Sequence, residues 1–403
     1  MKTLLQVNTV GNCGSTGKIV ESIGVTAQNL GWNAISAFGR KERPSRLKKA
    51  KLASCAEIFA NVVWARFFDS DSPFSKLATK RLVSLIKTEK PDIIHLHNLH
   101  GYYLNCPDFF DFLMKIDTPI VWTLHDCWSF TGHCAYFDDC KKWQTLCHNC
   151  PKKHDYPKSL LLDNSKNNFL CKKRFAQKAK NLTMVPVSHW LDNLLKKSIF
   201  SNSESVVIHN GINTKIFAPQ TDLKNIKAKF ALPDKKIVLG VANVWSQSKG
   251  YNDFINLAHM LKGAQIVLVG VNKFQKSELA KHNIIGIERT ENQAELAKLY
   301  SIADVFANPT YLEALGMVNR EAISCATPVV SYNTGGCPES INAKTGIIVE
   351  QGNLTALLNA IGEILKNGKS NYAENCRKKA LAEFDEKDRF LDYIKLYESL
   401  LGK

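Results

Sequence analysis

The sequence lacks an apolar run long enough to cross a membrane. No window approaches the roughly 18 uninterrupted apolar residues that a spanning helix needs, and Met1 to Val10 is too short and too weakly charged for a signal peptide. We therefore expect a cytoplasmic protein, with any membrane contact peripheral and at the inner face of the cell membrane. The Lys/Arg-rich stretch GRKERPSRLKKAKL, residues 39–52, is the candidate for that contact.

The sequence also lacks low-complexity tracts, an arginine-rich arm and any recognised nucleic-acid-binding module. Its composition, 45% hydrophobic and 22% charged, is globular, and 403 residues are too many for one ordinary core. The formal charge of +16 favours an anionic partner. Because the lysines are spread along the chain, nucleic acid is not the expected partner. A basic nucleic-acid or polyphosphate binder built on Rossmann-like domains is the alternative function.

Two common phosphate-binding motifs are incomplete in NTVGNCGSTGKIVES, residues 8–22. Asn12 stands where a P-loop has its first glycine, and Ile19 stands where it has Ser or Thr, which excludes a P-loop ATPase. The glycines are evenly spaced by three, whereas the dinucleotide fingerprint needs its first two glycines two apart. What remains is a strand, a small-residue turn and a helix whose N-terminal amides could face an anion, or a tight turn without a ligand.

The twelve cysteines are unevenly distributed, with five of them between residues 127 and 150. In a reducing compartment such a cluster is more typical of metal ligands than of disulfides. Two of these cysteines are separated by two residues, as in a zinc half-site, and two others could complete it. The candidate structural zinc ligands are Cys134, Cys140, Cys147 and Cys150. His133 and His148 are spare ligands, and free buried thiols are the alternative.

Strand-like apolar runs alternate with helical patterns along the whole chain, which predicts parallel βαβ units. Six such runs lie before residue 212 and six after residue 235, enough for two doubly wound sheets. A stretch rich in Gly, Asn and Pro separates the two sets. The predicted segments are a first domain at 1–209 with a Cys-rich insertion at about 127–157, a linker at 210–222, a second domain at 223–384, and a C-terminal helix at 385–403 that packs across both domains.

The densest group of polar residues after a strand lies between 303 and 340. Glu313 is in the turn after a strand, and residues 316–319 open a helix whose first amides would point at an anion. Glu321, one turn deeper, can accept two hydrogen bonds from a vicinal diol such as that of a ribose. The eight-residue spacing places both glutamates at one site only if a loop carries the first and a helix carries the second.

This segment resembles the signature of family 4 of the retaining glycosyltransferases. The shared pattern is a Glu, seven residues, a second Glu, then Ala, TPVV and GGCPE. Further matches are VIHNGIN at 207–213, SKG at 248–250 and TLHD at 123–126. The stretches IIHLHNLHGYYLN, WTLHDCWSFTGHC and CHNCP are similar to a branch found in bacterial surface-polysaccharide clusters, including colanic-acid-type and capsular enzymes. The resemblance implies the GT-B fold, two Rossmann-like α/β domains with doubly wound parallel sheets facing a cleft.

The resemblance also implies roles for the matching residues of the second domain. Glu321 would bind the nucleotide ribose, and Glu313 would contact hydroxyls of the transferred sugar. The amides of Met317 and Val318, with the ammonium of Lys249, would hold the diphosphate as it leaves. The implied catalytic residues are His125, Lys249 and Glu313. The implied donor-binding residues are Gly14, Ser15, Asn243, Lys249, Glu313, Gly316, Met317, Val318 and Glu321.

In the first domain, the resemblance places His125 beside the donor sugar, across the cleft. Gly14 and Ser15 match paired glycines that approach the diphosphate, although Ser15 is less permissive than glycine of a close backbone approach. A second departure is more consequential, because the family usually carries a Gly-Arg pair where this chain has Ala242 and Asn243. A neutral Asn gives no charged fork, so diphosphate binding should depend more on Lys249.

Two arginines, Arg289 and Arg320, are candidates to replace the missing cation. The loop at 287–290 would be among those that distinguish nucleotide bases. A metal-dependent transferase of the other major fold is the rival enzyme, since Asp69 and Asp71 form an Asp-x-Asp pair, but no second carboxylate cluster supports it.

The implied activity is that of a hexosyl-type glycosyltransferase. It would move a sugar, with retention, from a nucleotide-diphosphate sugar to a glycan acceptor that is lipid-linked. We expect no catalytic metal and no cofactor beyond the co-substrate and the candidate structural zinc.

Overall fold

A computed structural model describes residues 1–402, and the chain divides into two compact units. The first unit contains residues 1–209 and 390–402, and the second contains residues 210–389. The segment 210–222 lies within the second unit, where Ile212 and Phe217 are buried in the core.

The first unit is built on a seven-stranded sheet in which every strand pairing is parallel, with the order β3-β2-β1-β4-β5-β6-β7. Its strands are β1 Thr3–Gly11, β2 Asn33–Glu42, β3 Lys48–Lys51, β4 Ile93–Leu96, β5 Ile120–Leu124, β6 Leu182–Pro186 and β7 Glu204–Ser205. Its helices are α1 Gly14–Asn29, α2 Cys55–Phe68, α3 Ser75–Glu89, α4 Cys106–Leu113, α5 Ser165–Lys178 and α6 His189–Leu195.

The second unit is built on a six-stranded sheet, again with parallel pairings throughout, in the order β10-β9-β8-β11-β12-β13. Its strands are β8 Lys236–Val241, β9 Ala264–Val269, β10 Ile285–Ile287, β11 Val305–Asn308, β12 Val329–Tyr332 and β13 Gly346–Val349. Its helices are α7 Lys224–Lys229, α8 Tyr251–Met260, α9 Lys273–Lys281, α10 Gln293–Ile302, α11 Met317–Ser324, α12 Leu354–Asn367 and α13 Ser370–Glu383.

The last helix, α14, spans Glu386–Leu401 and joins the first unit from Phe390 onward. Its apolar stripe packs into that unit's core, where Phe390, Ile394 and Tyr397 are buried. The hydroxyl of Tyr397 lies 2.7 Å from Nδ1 of His95 on β4. These contacts attach the C-terminus of the chain to the first sheet.

The central strands of both sheets are predominantly apolar and almost entirely buried, because helices cover both faces of a parallel sheet. Each sheet reverses its strand order once, between β1 and β4 in the first unit and between β8 and β11 in the second. Ligands of doubly wound sheets bind beyond the carboxyl ends of the strands at these positions. The two parallel α/β sheets confirm the predicted fold class. Among the helices that the structure describes, none combines the length and apolarity required to cross a bilayer.

Candidate functional site

In the second unit, the loops after β8 and β11 bring a lysine and a glutamate together. Lys249 ends a short 3₁₀ turn after β8, and Glu313 lies in the loop after β11. The Lys249 ammonium is 2.9 Å from Oε2 of Glu313 and donates to the carbonyl of Leu312 at 3.0 Å. Both side chains remain partly exposed. The pair therefore stands at the predicted end of the sheet, where a ligand can reach it.

Two glycines allow the loops to approach this closely. Gly250 has φ of +73°, and a Cβ there would lie 2.3 Å from the carbonyl oxygen of Pro309. Gly335 has φ of +53°, and a Cβ there would lie 1.7 Å from the carbonyl oxygen of Glu313. Since an L-residue would be both strained and in collision at these positions, the glycines of SKG and GGCPE fix the position of the Lys–Glu pair.

The N-terminus of α11 adjoins this pair. Gly316 adopts the left-handed conformation, with φ of +81°, immediately before Met317 begins the helix. No side chain caps this terminus, and no acidic residue lies in its first turn. The side-chain amide of Asn308, at the end of β11, donates to Oδ1 of Asn319 at 2.8 Å and so fixes the first turn. The amides of Met317 and Val318 are thus positioned for an anion.

A buried tyrosine forms a hydrogen bond with the carboxylate of Glu321. The hydroxyl of Tyr300, on α10, donates to Oε2 of Glu321 at 2.9 Å. Burial and the adjacent carboxylate raise the pKa of Tyr300 well above its ordinary value, so the hydroxyl remains a donor. This contact orients the Glu321 carboxylate one turn beyond the helix terminus. Sequence reasoning missed Tyr300, because it belongs to no motif and acts through Glu321, which does.

The structure excludes Arg320 as the replacement cation. Its guanidinium donates to Oγ of Ser340 at 3.0 Å and to the carbonyl of Asn210 at 3.2 Å, and it lies over the ring of Phe384. The side chain is buried, and burial lowers its pKa to about 10. Arg320 therefore makes buried contacts that connect segments of the second unit, and its guanidinium does not face a ligand.

Two further polar residues of the second unit follow strands at its surface. Asn243 is exposed after β8. Arg289 is exposed after β10 and stays a candidate cation.

In the first unit, α1 begins directly after β1 with a turn of small residues. Gly14 has φ of +65° and, like Ser15, is exposed. The helix start has no side-chain cap and no acidic residue in its first turn. Asn12, also left-handed at φ of +45°, donates its side-chain amide to the carbonyl of Pro44 at 2.5 Å. The contact with Pro44 therefore fixes the conformation of the turn, and the uncapped amides at the start of α1 are available to an anion.

His125 lies after β5 at the end of a buried chain of hydrogen bonds. Its Nε2 is 3.1 Å from Nδ1 of His97, and Nε2 of His97 is 3.3 Å from Oε1 of Gln6. The Gln6 amide group donates to the carbonyl of Val20, so the Gln6 side-chain oxygen accepts a hydrogen bond from Nε2–H of His97. His97 then accepts from His125, which leaves Nδ1 of His125 as an acceptor. Burial lowers the pKa of His125 to about 4, so the ring is neutral near pH 7.

The Asp-x-Asp pair of the rival enzyme has structural partners. Asp69 accepts from the backbone amide of Asn164 at 2.9 Å and lies 2.5 Å from Nδ1 of His133. Asp71 accepts from the amide of Cys106 at 2.8 Å, and burial raises its pKa. The two carboxylates thus form hydrogen bonds with different residues of the first unit. The four candidate zinc ligands line one small cavity of the first unit, which His133 also lines.

Comparison with known proteins places this geometry in context. Residues 37–216 match the family model described as Glycosyltransferase Family 4, and residues 222–382 match the one described as Glycosyl transferases group 1. The putative colanic acid biosynthesis glycosyl transferase WcaC of Escherichia coli K12 is 24% identical over 359 residues, covering 85% of this chain and 84% of that protein.

Solved structures of low sequence identity show the same fold. Sucrose-phosphate synthase from Thermosynechococcus elongatus superposes with a TM-score of 0.75 at 18% identity, covering 100% of both chains. HepE of Anabaena, solved in complex with UDP-glucose, superposes with a TM-score of 0.68 at 15% identity, covering 99% of this chain and 100% of that one.

Proposed function

Because the chain is a glycosyltransferase of family 4 with the GT-B fold, we propose that it transfers a sugar from a nucleotide-diphosphate donor to a lipid-linked glycan, with retention. The observation that carries the donor assignment is the convergence of Lys249, Glu313 and the α11 terminus at the adjacent ends of β8 and β11. HepE, a structural neighbour, is solved with UDP-glucose. Retention and the class of acceptor rest on the family resemblance and on the name of WcaC.

In the proposed donor site, different protein groups bind the diphosphate, the ribose and the sugar of the donor. An ammonium has three donors, and Lys249 uses two of them on Glu313 and on the carbonyl of Leu312. The third donor and the amides that open α11 would take phosphate oxygens and stabilise the charge that develops on the leaving diphosphate. Glu321 would accept from the ribose hydroxyls, and Glu313 from hydroxyls of the sugar.

A thermal-shift panel tests the donor assignment against the nucleic-acid alternative. Nucleoside diphosphates and nucleotide sugars, at about 100 times their Kd, should stabilise the folded protein by about 2.7 kcal/mol and raise its Tm. One base should be preferred over the others. A duplex DNA of mixed sequence is the matched probe. A Tm raised by the duplex in a steeply salt-dependent manner, with no response to any nucleotide, would support the alternative instead.

The proposed lipid-linked acceptor requires contact with a membrane, and helix α2 offers an apolar surface for it. Asn61 is the only buried residue of this 14-residue helix, although charged residues are few in its sequence. Phe59, Val63 and Phe67 form an exposed stripe along one side. A helix that is apolar on all sides is normally covered on all sides.

A neighbouring loop extends this apolar surface. The amides of Leu160 and Leu162 donate to the carbonyls of Arg66 and Phe67, at 2.6 and 3.0 Å, which fixes the loop beside the end of α2. Leucines 160–162 are all exposed, and Lys158 is exposed beside them. Apolar side chains flanked by cations suit the headgroup region of an anionic bilayer. This surface differs from the predicted stretch at 39–52.

Binding to vesicles of phosphatidylethanolamine and phosphatidylglycerol distinguishes the two surfaces. The double variant Phe59→Ser/Phe67→Ser should sediment with such vesicles about tenfold less than the wild type, because it removes two apolar anchors. Phe274→Ser changes an exposed phenylalanine on α9 of the second unit and should bind as the wild type does. If the Lys48→Ser/Lys49→Ser variant loses vesicle binding and the double phenylalanine variant does not, the contact lies on β3 and the proposed surface is wrong.

A further inference from the structure

The segment between residues 131 and 164 is compact although it has almost no regular secondary structure. It holds a single 3₁₀ turn, Lys142–Gln144. Nevertheless Trp143 is 2% exposed and Cys134 is 6% exposed. Long segments without helices or strands rarely keep a buried centre by packing alone, and small folds of this kind commonly use metals or disulfides.

Four cysteines surround the centre of this segment. Cys134, Cys140, Cys147 and Cys150 line one cavity of about 10 Å³, close to the size that accommodates a single water molecule. All four are free thiols. The cavity therefore presents four soft ligands to one small space.

A backbone amide approaches one of the sulfur atoms. The amide of Gly132 donates to Sγ of Cys147 at 3.2 Å. Amide donors of this kind stabilise negative charge on a sulfur, and they form the outer shell of metal–thiolate sites. Apolar packing of neutral thiols does not require them.

The chain between the last two cysteines is also held in shape. Asn149 adopts a left-handed conformation, with φ of +44°, immediately before Cys150. The ammonium of Lys142 donates to the carbonyls of His148 and Asn149, each at 3.0 Å. These contacts close a tight turn that directs both sulfur atoms to the same side, and the lysine supplies positive charge near them.

We propose that Cys134, Cys140, Cys147 and Cys150 bind one structural Zn²⁺ ion in a tetrahedral site. Thiolates select zinc over the hard cations Mg²⁺ and Ca²⁺. His148 is exposed. Nε2 of His133 is buried without a hydrogen-bond partner while its Nδ1 contacts Asp69, the usual arrangement of a metal-binding histidine, so His133 is the spare ligand beside the four cysteines. No three of the four sulfur atoms all lie within 4.8 Å of one another. Binding therefore draws the turns inward until each sulfur is about 2.3 Å from the ion.

The zinc site would shape a second, larger cavity in the same unit. Gly132 and His133 stand at the start of the cysteine segment and line that cavity of about 70 Å³, together with His100, Trp128 and Lys172. Nε2 of His100 forms a hydrogen bond with Oδ2 of Asp126, the residue after His125. On the proposed function, this cavity belongs to the acceptor side. Loss of zinc should therefore raise the KM for the acceptor and leave nucleotide binding unchanged.

Metal analysis of the purified full-length protein tests the site, with Cys150→Ser as the variant and Cys55→Ser as its control. Cys55 is exposed at the start of α2, outside the cluster. The wild type and Cys55→Ser should each contain one zinc per chain, whereas Cys150→Ser should lose it and melt at a lower temperature. Cobalt-substituted wild type should show the intense charge-transfer and visible bands of a tetrahedral thiolate site.

Two results would overturn the proposal. One is a metal-free wild type in which the four thiols react freely. The other is a mass lowered by the hydrogens lost in forming two disulfides. If Cys150→Ser does not fold, the cobalt spectrum of the wild type and the zinc released by a thiol reagent still decide the question. A wild type that contains no zinc but keeps its thermal shift with nucleotides would refute this inference and leave the proposed function intact.

Discussion

Replacing Lys249 with alanine should lower the rate of sugar transfer by about 10²–10³-fold, the loss expected when one donor to developing charge is removed. The chain has Asn243 where its family has an arginine, and Arg320 is buried against Ser340 and Asn210. On the proposed function, Lys249 would therefore carry more of the diphosphate charge than in a site with two cations. The variant should fold normally, because the side chain is partly exposed and contacts only the loop at 312–313.

The measurement is initial-rate transfer with the donor that the thermal-shift panel selects. Lys276→Ala is the control, since Lys276 is an exposed lysine of the same unit that faces Glu288 at 3.5 Å. It should transfer as the wild type does. A Lys249→Ala variant with wild-type kcat/KM and an unchanged Tm would remove Lys249 from the site. Arg289 would then be the next cation to test.

Replacing Glu321 with alanine should weaken nucleotide binding by about 10–100-fold, because a hydrogen bond to a charged group contributes about 1.5–3 kcal/mol. The expected loss depends on the ribose. Nucleoside diphosphate should bind more weakly, whereas inorganic pyrophosphate, which has no ribose, should bind as it does to the wild type. Tyr300→Phe should reproduce part of the effect, because it removes the hydroxyl that orients the carboxylate.

Calorimetric titration of both ligands separates this role from a general loss of structure. Glu363→Ala is the control, since Glu363 is exposed on α12. Equal weakening of pyrophosphate and nucleoside diphosphate by Glu321→Ala would mean that the residue supports the helix terminus and does not contact the ribose.

The sheets were largely predictable, and the exceptions have physical causes. Every predicted apolar run except one overlaps a strand along at least half of its length, because strands covered on both faces are largely apolar. Strand β3, Lys48–Lys51, was not predicted, since a polar strand at a sheet edge has no apolar pattern. The exception is the last run before residue 212, at 205–211, which shares only Ser205 with β7 at the opposite edge.

The parts of the candidate site that lie directly after strands were predictable. Lys249 and Glu313 are 64 residues apart in sequence, yet both follow strands that are neighbours in a parallel sheet, and the structure places them in contact. Side-chain direction was less predictable. Arg320 and Glu321 are consecutive on α11, and successive helical residues point about 100° apart, so one enters the core while the other meets Tyr300. Only the structure shows which of the two side chains points into the core.

The central claim is that Lys249, Glu321 and the start of α11 together bind the nucleotide part of a sugar donor. A crystal structure with bound nucleotide sugar, or nucleoside diphosphate, tests it most directly. We predict phosphate oxygens within hydrogen-bonding distance of the Lys249 ammonium and of the amides of Met317 and Val318, with the ribose hydroxyls on Glu321. A nucleotide seated away from the ends of β8 and β11, with Lys249 still bound only to Glu313 and Leu312, would contradict the account.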